Sequence, residues 1–491
     1  GGINVTAGIT TVQALQATTG TFSADSTINS VSVGKGANSV AGNTAVGQFA
    51  LDANTTGDNN SAFGKSSLGA LTTGNFNVAV GGRAMEDGTT ASLNTAVGYV
   101  SLAEITTGGS NAAVGYAALG SLTTGSQNTA VGRSALLASN ADNNTAVGYQ
   151  ALTANTTGTS NTAVGSLALD AVTTGTDNTA VGHGALTANT ADANVAVGHR
   201  ALEANTTGTQ NTALGQRAGY QVTTGQYNSL HGWNAGGSIT TGSNNTALGN
   251  RALDASTTSN NNTAVGYSAL SSACDAGNTA VGGLALFSNT AASNTAVGYN
   301  AMYANTTGHD NVAVGYAALD ANTTGLYNTA VGDDALGSVT TGERNTAVGR
   351  HALKNNTSSR NTAIGMNSME NNTTGQYNTA VGSRALVANT SADYNTAIGN
   401  DALFANTTGT ENTAVGAVAL DANTTGDYNT AMGYAALSAQ TTGSNNVAVG
   451  RNSMSSSTTG YNNVALGTRS LDAMQTGGYN TAIGDGALGA Y

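Results

Sequence analysis

The chain has 491 residues, of which only 8% are charged and 5% aromatic, with no proline and a single cysteine. Its net charge of −12 and its pI near 4.6 argue against a nucleic-acid binder, because such proteins need Lys/Arg clusters to displace counterions. The lone Cys274 excludes an intrachain disulfide, and no run approaches the roughly 20 apolar residues of a membrane-spanning helix.

Residues 1–28 do not share the pattern of the rest of the chain, and their Thr/Ala/Gly-rich text predicts a connector. Within it, residues 12–20 have the pattern of a short strand closed by a turn. From Asn29 a repeat begins in a tight form, Asn-Ser-Val-Ser-Val-Gly, whose glycine lies only 13 residues before Gly47. The predicted organisation is therefore a connector followed by a repeat region.

From Gly47 to Gly484 the chain repeats Asn-Thr-Ala-Val-Gly-x-x-Ala-Leu-x-Ala-Asn-Thr-Thr-Gly-x-x. The glycine after Val occurs 27 times, with 21 spacings of 17 residues and five of 16. A short fixed period with strictly placed apolar residues predicts an all-β parallel β-solenoid over residues 29–491, not a disordered chain. At about 4.8 Å per coil, the predicted solenoid is roughly 130 Å long.

Each coil is predicted to contain two short strands. In residues 44–46, Thr and Val share one face, and the row of Val and its apolar substitutes is predicted to be buried. In residues 151–154, Leu152 is predicted to face the core from a second strand, with a short helical turn as the alternative. On this interpretation Val265→Asp buries an unpaired carboxylate and breaks the solenoid locally.

Glycine is predicted to make both corners of the coil through a positive φ, after Val and at the end of Asn-Thr-Thr-Gly. The 16-residue coils all lack Thr-Thr-Gly; they end at Gly148, Gly198, Gly282, Gly298 and Gly365. Length changes are therefore expected in this one corner, which behaves as a surface loop.

An irregular stretch is predicted at residues 215–242. Leu230 and His231 stand there in the alanine and valine positions of the strand, and Gly219 and Gly236 replace the leucine.

The stretch from Asn29 to Ala37, with the Asn-Thr-Ala-Val-Gly elements after it, resembles the YadA-type head repeats of trimeric autotransporter adhesins. The longer form at Asn144 to Leu152 is also similar to shaft sequences in bacteriophage tail fibres, and residues 2–8 and 17–23 are similar to connectors in such fibres. The resemblance implies a left-handed parallel β-roll with three chains side by side. The period here is longer than in the adhesin heads, so the outer corner should be enlarged.

The resemblance and the thin predicted core together favour a parallel homotrimer. The expected function is that of a phage tail fibre shaft on the virion surface, which spaces and presents a host-receptor-binding end. A bacterial surface adhesin is the alternative, and an ice-binding or other surface-array solenoid is a third. A phage fibre would carry a docking domain before Gly1 and a tip or trimerisation chaperone after Tyr491, whereas an adhesin would carry a signal peptide upstream and a membrane anchor downstream.

No catalytic constellation is evident, and we expect no enzymatic activity, catalytic residue, cofactor or bound metal. His183 and His199 follow the repeat glycine in adjacent coils and could bind a metal with a neighbouring chain, or could simply be exposed polar side chains. The pair Asp333-Asp334 could attract a cation, but the period of calcium-binding nonapeptide rolls is missing. The expected partners are further copies of the chain and a cell-surface glycan or protein receptor, with no nucleic acid.

Two further patterns have both a functional and a structural interpretation. Asn-Thr-Thr matches the N-glycosylation acceptor, yet turn chemistry explains the same letters; it begins at Asn54, Asn155, Asn205, Asn305, Asn322, Asn372, Asn406 and Asn423. Tyrosines occupy equivalent positions in adjacent coils at Tyr299 and Tyr316 and at Tyr377 and Tyr394. Stacked tyrosines suit sugar rings, although packing along the exterior or between chains is the simpler interpretation.

Overall fold

A computed structural model of the chain describes residues 26–28 and 31–489. The chain divides into two compact units, Gly1–Ser166 and Leu167–Tyr491. Each unit is a parallel β-solenoid, with about 26 coils in the whole chain at a spacing near 17 residues and almost no helix. The predicted all-β parallel β-solenoid is therefore confirmed.

Each coil contributes a single strand, not the two that were predicted. The first unit contains β1 (Ser26–Ile28), β2 (Val31–Gly34), a 3₁₀ helix (Ala37–Ser39), β3 (Thr44–Val46), β4 (Ser61–Phe63), β5 (Val78–Val80), β6 (Thr95–Val97), β7 (Ala112–Val114), β8 (Thr129–Val131), β9 (Thr145–Val147) and β10 (Thr162–Val164). The second unit contains β11 (Thr179–Val181), β12 (Val195–Val197), β13 (Thr212–Leu214), β14 (Ser229–His231), β15 (Thr246–Leu248), β16 (Thr263–Val265), β17 (Thr279–Val281), β18 (Thr295–Val297), β19 (Val312–Val314), β20 (Thr329–Val331), β21 (Thr346–Val348), β22 (Thr362–Ile364), β23 (Thr379–Val381), β24 (Thr396–Ile398), β25 (Thr413–Val415), β26 (Thr430–Met432), β27 (Val447–Val449), β28 (Val464–Leu466) and β29 (Thr481–Ile483). The predicted connector lies outside the described residues except for β1.

Within each unit the strands stack in parallel and in register. This holds from β3 to β10 and from β11 to β29. A 16-residue coil keeps the same register, since Thr129 still pairs with Thr145. Nearly every backbone N–H in this ladder has a partner in a neighbouring coil, which is why a chain without proline suits it.

The start of the first unit differs from the prediction, because β1, β2 and β3 pair antiparallel. The spacing of 13 residues from Gly34 to Gly47 is too short for a full coil, so the chain turns back on itself through the 3₁₀ helix. The Gly47 N–H donates to the Ser32 carbonyl oxygen at 2.8 Å. The hairpin therefore covers the free edge of the first complete coil, as a terminal cap does in other repeat folds.

The interior row of the strands is alanine, and the predicted burial of the valine row is wrong. The central Ala of each Thr-Ala-Val strand is buried, as at Ala264, whereas the flanking Thr is mostly half-buried. Val265 is half-buried on the outward face, so Val265→Asp would place its carboxylate toward solvent and not in the core. The leucine row is inside as predicted, with Leu51 and Leu152 fully buried.

The segment after the repeat glycine is a run of turns, neither the predicted strand nor the helical alternative. In the first coil both Phe49 and Leu51 lie in the left-handed region, with φ of 61° and 52°, and the equivalent positions repeat this in later coils. Each such residue costs on the order of 1 kcal/mol. Burying the leucine contributes about 1.5–3 kcal/mol, and the Leu51 N–H donates to Ser67 O of the next coil. Burial and inter-coil hydrogen bonding together offset the strain.

The two corner glycines are required for different reasons. The glycine after Val has the predicted positive φ, 140° at Gly47. The glycine of Asn-Thr-Thr-Gly does not: a Cβ on Gly57 would lie 2.3 Å from the Gly74 carbonyl oxygen in the next coil. Here glycine is needed because two backbones approach closely, and the positive φ falls on Asn59 instead.

A ladder of buried asparagines runs beside the strands, formed by the Asn that begins each Asn-Thr-Ala-Val-Gly element. The Asn77 N–H and Nδ2 both donate to Asn60 Oδ1 at 3.0 Å, and Asn77 Nδ2 also donates to the Ala91 carbonyl oxygen at 2.8 Å. The arrangement recurs in coil after coil, for instance at Asn228 and Asn446. Each carboxamide thus links its own coil to the coils on both sides.

The stretch predicted to be irregular is regular in its backbone. Strand β14 keeps its register with both neighbours, and Leu230 is fully buried in the alanine position. A Cβ added to Gly219 or Gly236 would lie 2.8 Å or 2.7 Å from a Leu230 methyl carbon. One strand leucine therefore occupies the space of the two corner leucines that are missing.

The replacement of two corner leucines by Leu230 can be tested by removing Leu230 and restoring the corner leucines. Leu230→Ala should destabilise the local coils by about 2–5 kcal/mol, because it empties a site that no other side chain fills. Adding Gly219→Leu and Gly236→Leu should restore much of the loss, since leucine occupies the same backbone region in other coils. Hydrogen–deuterium exchange across residues 213–240 would measure both effects, and a triple variant no better protected than Leu230→Ala would contradict this account.

Candidate functional site

The two histidines considered as metal ligands lie in contact with each other. The rings of His183 and His199 stack with centroids 5.5 Å apart. Across the described residues, no group of three or more His, Cys, Asp and Glu side chains is placed to hold a metal ion. The pair can be explained as exposed rings stacked at the coil spacing.

The acidic pair at Asp333 and Asp334 is matched by cations of the protein itself. Arg350 Nε lies 3.4 Å from an Asp333 carboxylate oxygen, and Lys354 Nζ lies 3.0 Å from Asp334 Oδ2. Nearby, burial raises the pKa of the Asp320 carboxyl, and the charge of Asp334 raises it further. The cluster is therefore a set of ion pairs between successive coils.

The Asn-Thr-Thr asparagines are inaccessible to a glycosylating enzyme in the folded chain. All eight are fully buried, and their carboxamides form a second ladder at the outer corner. Asn322 Nδ2 donates to Asn305 Oδ1 at 2.7 Å and to the Gly325 carbonyl oxygen at 3.2 Å. Hydrogen bonds within the turn and between adjacent coils therefore account for the Asn-Thr-Thr motif.

Unlike the first ladder, this corner ladder is interrupted. Four of its Oδ1 atoms are buried without a hydrogen-bond partner, those of Asn54, Asn155, Asn205 and Asn322. In the sequence, the position one coil later holds leucine or valine in each case, such as Val339 after Asn322. An aliphatic side chain cannot donate a hydrogen bond, so the last carbonyl of each run is left unsatisfied.

A substitution that supplies a donor to an unpaired asparagine Oδ1 should stabilise the chain more than one that only transfers the unpaired Oδ1 to the next coil. Val339→Asn would supply a donor to Asn322 Oδ1 and meet Asn356 in the next coil, whereas Val222→Asn would satisfy Asn205 but orphan its own oxygen above Ile239. Both variants lose the same buried valine. We therefore expect Val339→Asn to be more stable than Val222→Asn by about 1–3 kcal/mol, the cost of one buried unsatisfied acceptor. Urea unfolding followed by circular dichroism would test the ranking, and equal stabilities would count against it.

Cys274 lies in one of the shortened coils and is a buried free thiol. Burial is the main cause that raises the pKa of the Cys274 thiol. A raised pKa keeps the thiol protonated at neutral pH, where only the thiolate would be nucleophilic. The geometry supports a packed side chain, not a nucleophile.

Alkylation should report this protection. The folded chain is expected to react with iodoacetamide much more slowly than the urea-unfolded chain at pH 8. Its rate should also rise with pH over a higher range than that of free cysteine, because the folded-state pKa is raised. Equal rates in the folded and unfolded states would refute a protected thiol.

The outward face of the strands is a row of apolar side chains. Where a larger apolar residue replaces the valine, it is exposed in most coils, as with Phe63 at 41%, Leu214 at 50% and Met432 at 43%. Threonines, most of them half-buried, or valines such as the exposed Val312 lie two residues earlier in the same strands. Contiguous apolar surface of this kind is typical of interaction sites.

Exposed aromatic side chains form columns, as the sequence predicts. The ring centroids of Tyr299 and Tyr316 are 6.0 Å apart, and those of Tyr377 and Tyr394 are 4.9 Å apart. Arginines extend such columns: the Arg133 guanidinium lies 5.7 Å from the Tyr116 ring centroid. These columns follow directly from identical backbone geometry in successive coils.

The shortened corners create a depression of about 370 Å³ in the second unit. Two successive 16-residue coils end at Gly282 and Gly298, and the longer corner at His309 and Asp310 forms one wall beside Asp275. His309 Nδ1 is 2.7 Å from an Asp310 carboxylate oxygen, so these two side chains contact each other in the wall of the depression.

Comparison with known proteins gives no family for this chain: no family model matches it, and no curated protein sequence matches it. In the described part of the chain, no helix has the length and apolar character needed to cross a bilayer.

Sequence reasoning misses the outward apolar face because it assigns valine to the interior. The available signal is the central residue of the strand, which is alanine in nearly every coil while the residue before the glycine varies from Val to Phe. A position that tolerates only a small side chain is the more constrained one, and it is the one that faces inward.

Proposed function

We propose that this chain is a structural fibre protein, the shaft of a phage tail fibre that spaces and presents a host-receptor-binding end. The observation that carries the proposal is the stack of near-identical coils with an apolar strand face left uncovered. A solenoid of this kind can separate two ends by a fixed distance without any chemistry of its own. The resemblance of its repeats to phage fibre shafts supports the same assignment.

The assembly we propose is a parallel homotrimer of left-handed rolls, held by the outward strand faces. A single chain leaves the Val row and its larger substitutes in water in every coil, and each interior is only an Ala row and a Leu row wide. Covering that face with further copies buries apolar surface at about 25 cal/mol per Å². Repetition over many coils makes a weak contact per coil sufficient for a stable assembly.

We infer no enzymatic role and no cofactor. In support, Asp333 and Asp334 form ion pairs with Arg350 and Lys354, and the Cys274 thiol is buried. The proposed place of action is outside the cell, on the virion surface.

The second candidate is a bacterial surface adhesin. The tight repeat from Asn29 to Gly34 favours it, because that form resembles the adhesin heads most closely. The third candidate is an ice-binding surface array. The observation that favours it is the row of threonines that lies in register beside the valines, as at Thr129 and Thr145. Sequencing the gene outward from both ends separates the first two: phage structural genes support the tail fibre, and a signal peptide with a membrane anchor supports the adhesin.

Assembly through the strand face can be tested with matched triple variants. Val297→Lys, Val314→Glu and Val331→Lys introduce alternating charges on the outward strand row. Thr307→Lys, Thr324→Glu and Thr341→Lys introduce the same charges at the exposed corner of the same coils. In sedimentation velocity the wild type and the corner variant should have three times the 48.1 kDa chain mass, while the strand variant should dissociate. All three should retain the same circular dichroism spectrum.

A wild-type chain that sediments as a folded monomer would overturn the assembly and, with it, the support for a fibre. If that monomer also showed thermal hysteresis in freezing solutions, the ice-binding alternative would take its place. Dissociation of the corner variant instead of the strand variant would show that the interface lies at the corner and not on the outward strand face.

A further inference from the structure

Among the described residues, one column of the second unit contains an aromatic ring with one face that no other ring or guanidinium group covers. It consists of the residues that directly precede the strand asparagine in successive coils: Arg360, Tyr377, Tyr394, Glu411 and Tyr428. All five lie in the left-handed region, with φ between 56° and 63°. Because they share one backbone conformation, their side chains project in the same direction at the spacing of parallel strands, about 4.8 Å.

The first three members form a closed stack. The Arg360 guanidinium carbon lies 5.2 Å from the Tyr377 ring centroid, and the guanidinium donates a hydrogen bond to the Tyr377 hydroxyl. On the other side, Tyr394 stacks on Tyr377 with centroids 4.9 Å apart and planes at 5°. Both faces of Tyr377 are therefore covered, and the stack holds Tyr394 in a fixed orientation.

Beyond Tyr394 the stack opens. A depression of about 390 Å³ lies there, lined by Tyr394 and Glu411. Tyr394 is 57% exposed. Within residues 31–489, no second ring or guanidinium covers its outer face, and the Glu411 carboxylate makes no hydrogen bond or ion pair. The site thus combines an aromatic platform held in place with a free acceptor beside it.

We propose that this depression is a lateral binding subsite for a neutral glycan, in which a pyranose ring stacks on the outer face of Tyr394. The apolar C–H face of a sugar suits the ring, and the Glu411 carboxylate can accept hydrogen bonds from sugar hydroxyls. A volume of about 390 Å³ is at the lower end for ligand pockets, which fits one or two sugar residues. The chain's net charge of −12 and Glu411 itself disfavour anionic sugars.

This subsite goes beyond the scaffold role proposed above and does not depend on it. A shaft that only spaces a binding end needs no ligand along its side, whereas a lateral subsite would let the solenoid wall itself contact a glycan-coated surface. The same subsite could serve any of the three candidate functions.

The test uses the full chain and four oligosaccharide probes in saturation-transfer NMR and isothermal titration: cellotetraose, mannotetraose, the tetramer of N-acetylglucosamine, and tetragalacturonate as the anionic probe. The variants are Tyr394→Ala and Glu411→Gln. Tyr434→Ala is the matched control, because Tyr434 is equally exposed at 57% but lies in the column after the repeat glycine.

The wild type should bind at least one neutral tetrasaccharide saturably, with saturation transfer to the sugar C–H protons. Tyr394→Ala should weaken binding at least about tenfold, through loss of the stacking contact. Glu411→Gln should weaken it about threefold to tenfold, and Tyr434→Ala should leave it unchanged.

Three results would overturn the proposal: no saturable binding of any neutral probe by the wild type, equal loss in Tyr394→Ala and Tyr434→Ala, or preferred binding of tetragalacturonate. Sedimentation of the same samples keeps this outcome separate from the fibre proposal. If Tyr394→Ala dissociates the assembly, Tyr394 is a contact between copies and the subsite is refuted, while the trimer is supported.

Discussion

The whole structure depends on each coil satisfying its polar groups with the coils on either side of it. A coil with a single three-residue strand and two corners cannot pair its backbone internally, and burying unpaired amides costs free energy. The asparagine at the head of each strand makes this dependence explicit, because its carboxamide bonds to the preceding coil and to a corner carbonyl of the next. Once one coil has its shape, the adjacent coil can bond to it only by adopting the same shape.

Interior width is the second constraint, and it explains why alanine and not valine faces inward. The core of a coil lies between the strand and the corner that carries the leucine. In most coils the leucine fills this space and leaves room only for a methyl group opposite. Leu230 shows the same limit on interior space. A leucine on the strand is accommodated here, where glycine replaces the corner leucine at Gly219 and Gly236.

Much of this could be predicted from the sequence, and the failures have physical causes. The period fixes parallel stacking, and stacking fixes which residues form columns, so the pairing of Tyr377 with Tyr394 follows from spacing alone. The inward face could not be predicted from hydrophobicity, because apolar residues are found both in a core and on a surface that binds a partner. The left-handed leucines, such as Leu51, have no local signal, since tertiary burial overrides the backbone preference. The Tyr394 subsite likewise depends on what the next coil places opposite the ring.

The in-register stack also determines how the protein tolerates a change in the number of its coils. Because every coil presents the same bonding edges above and below, removing or duplicating a whole coil leaves the remaining neighbours with the same partners. At the level of the protein, the loss or gain of one repeat changes the stack by one layer. The length of either unit can therefore change in steps of a single coil, without any change to its cross-section.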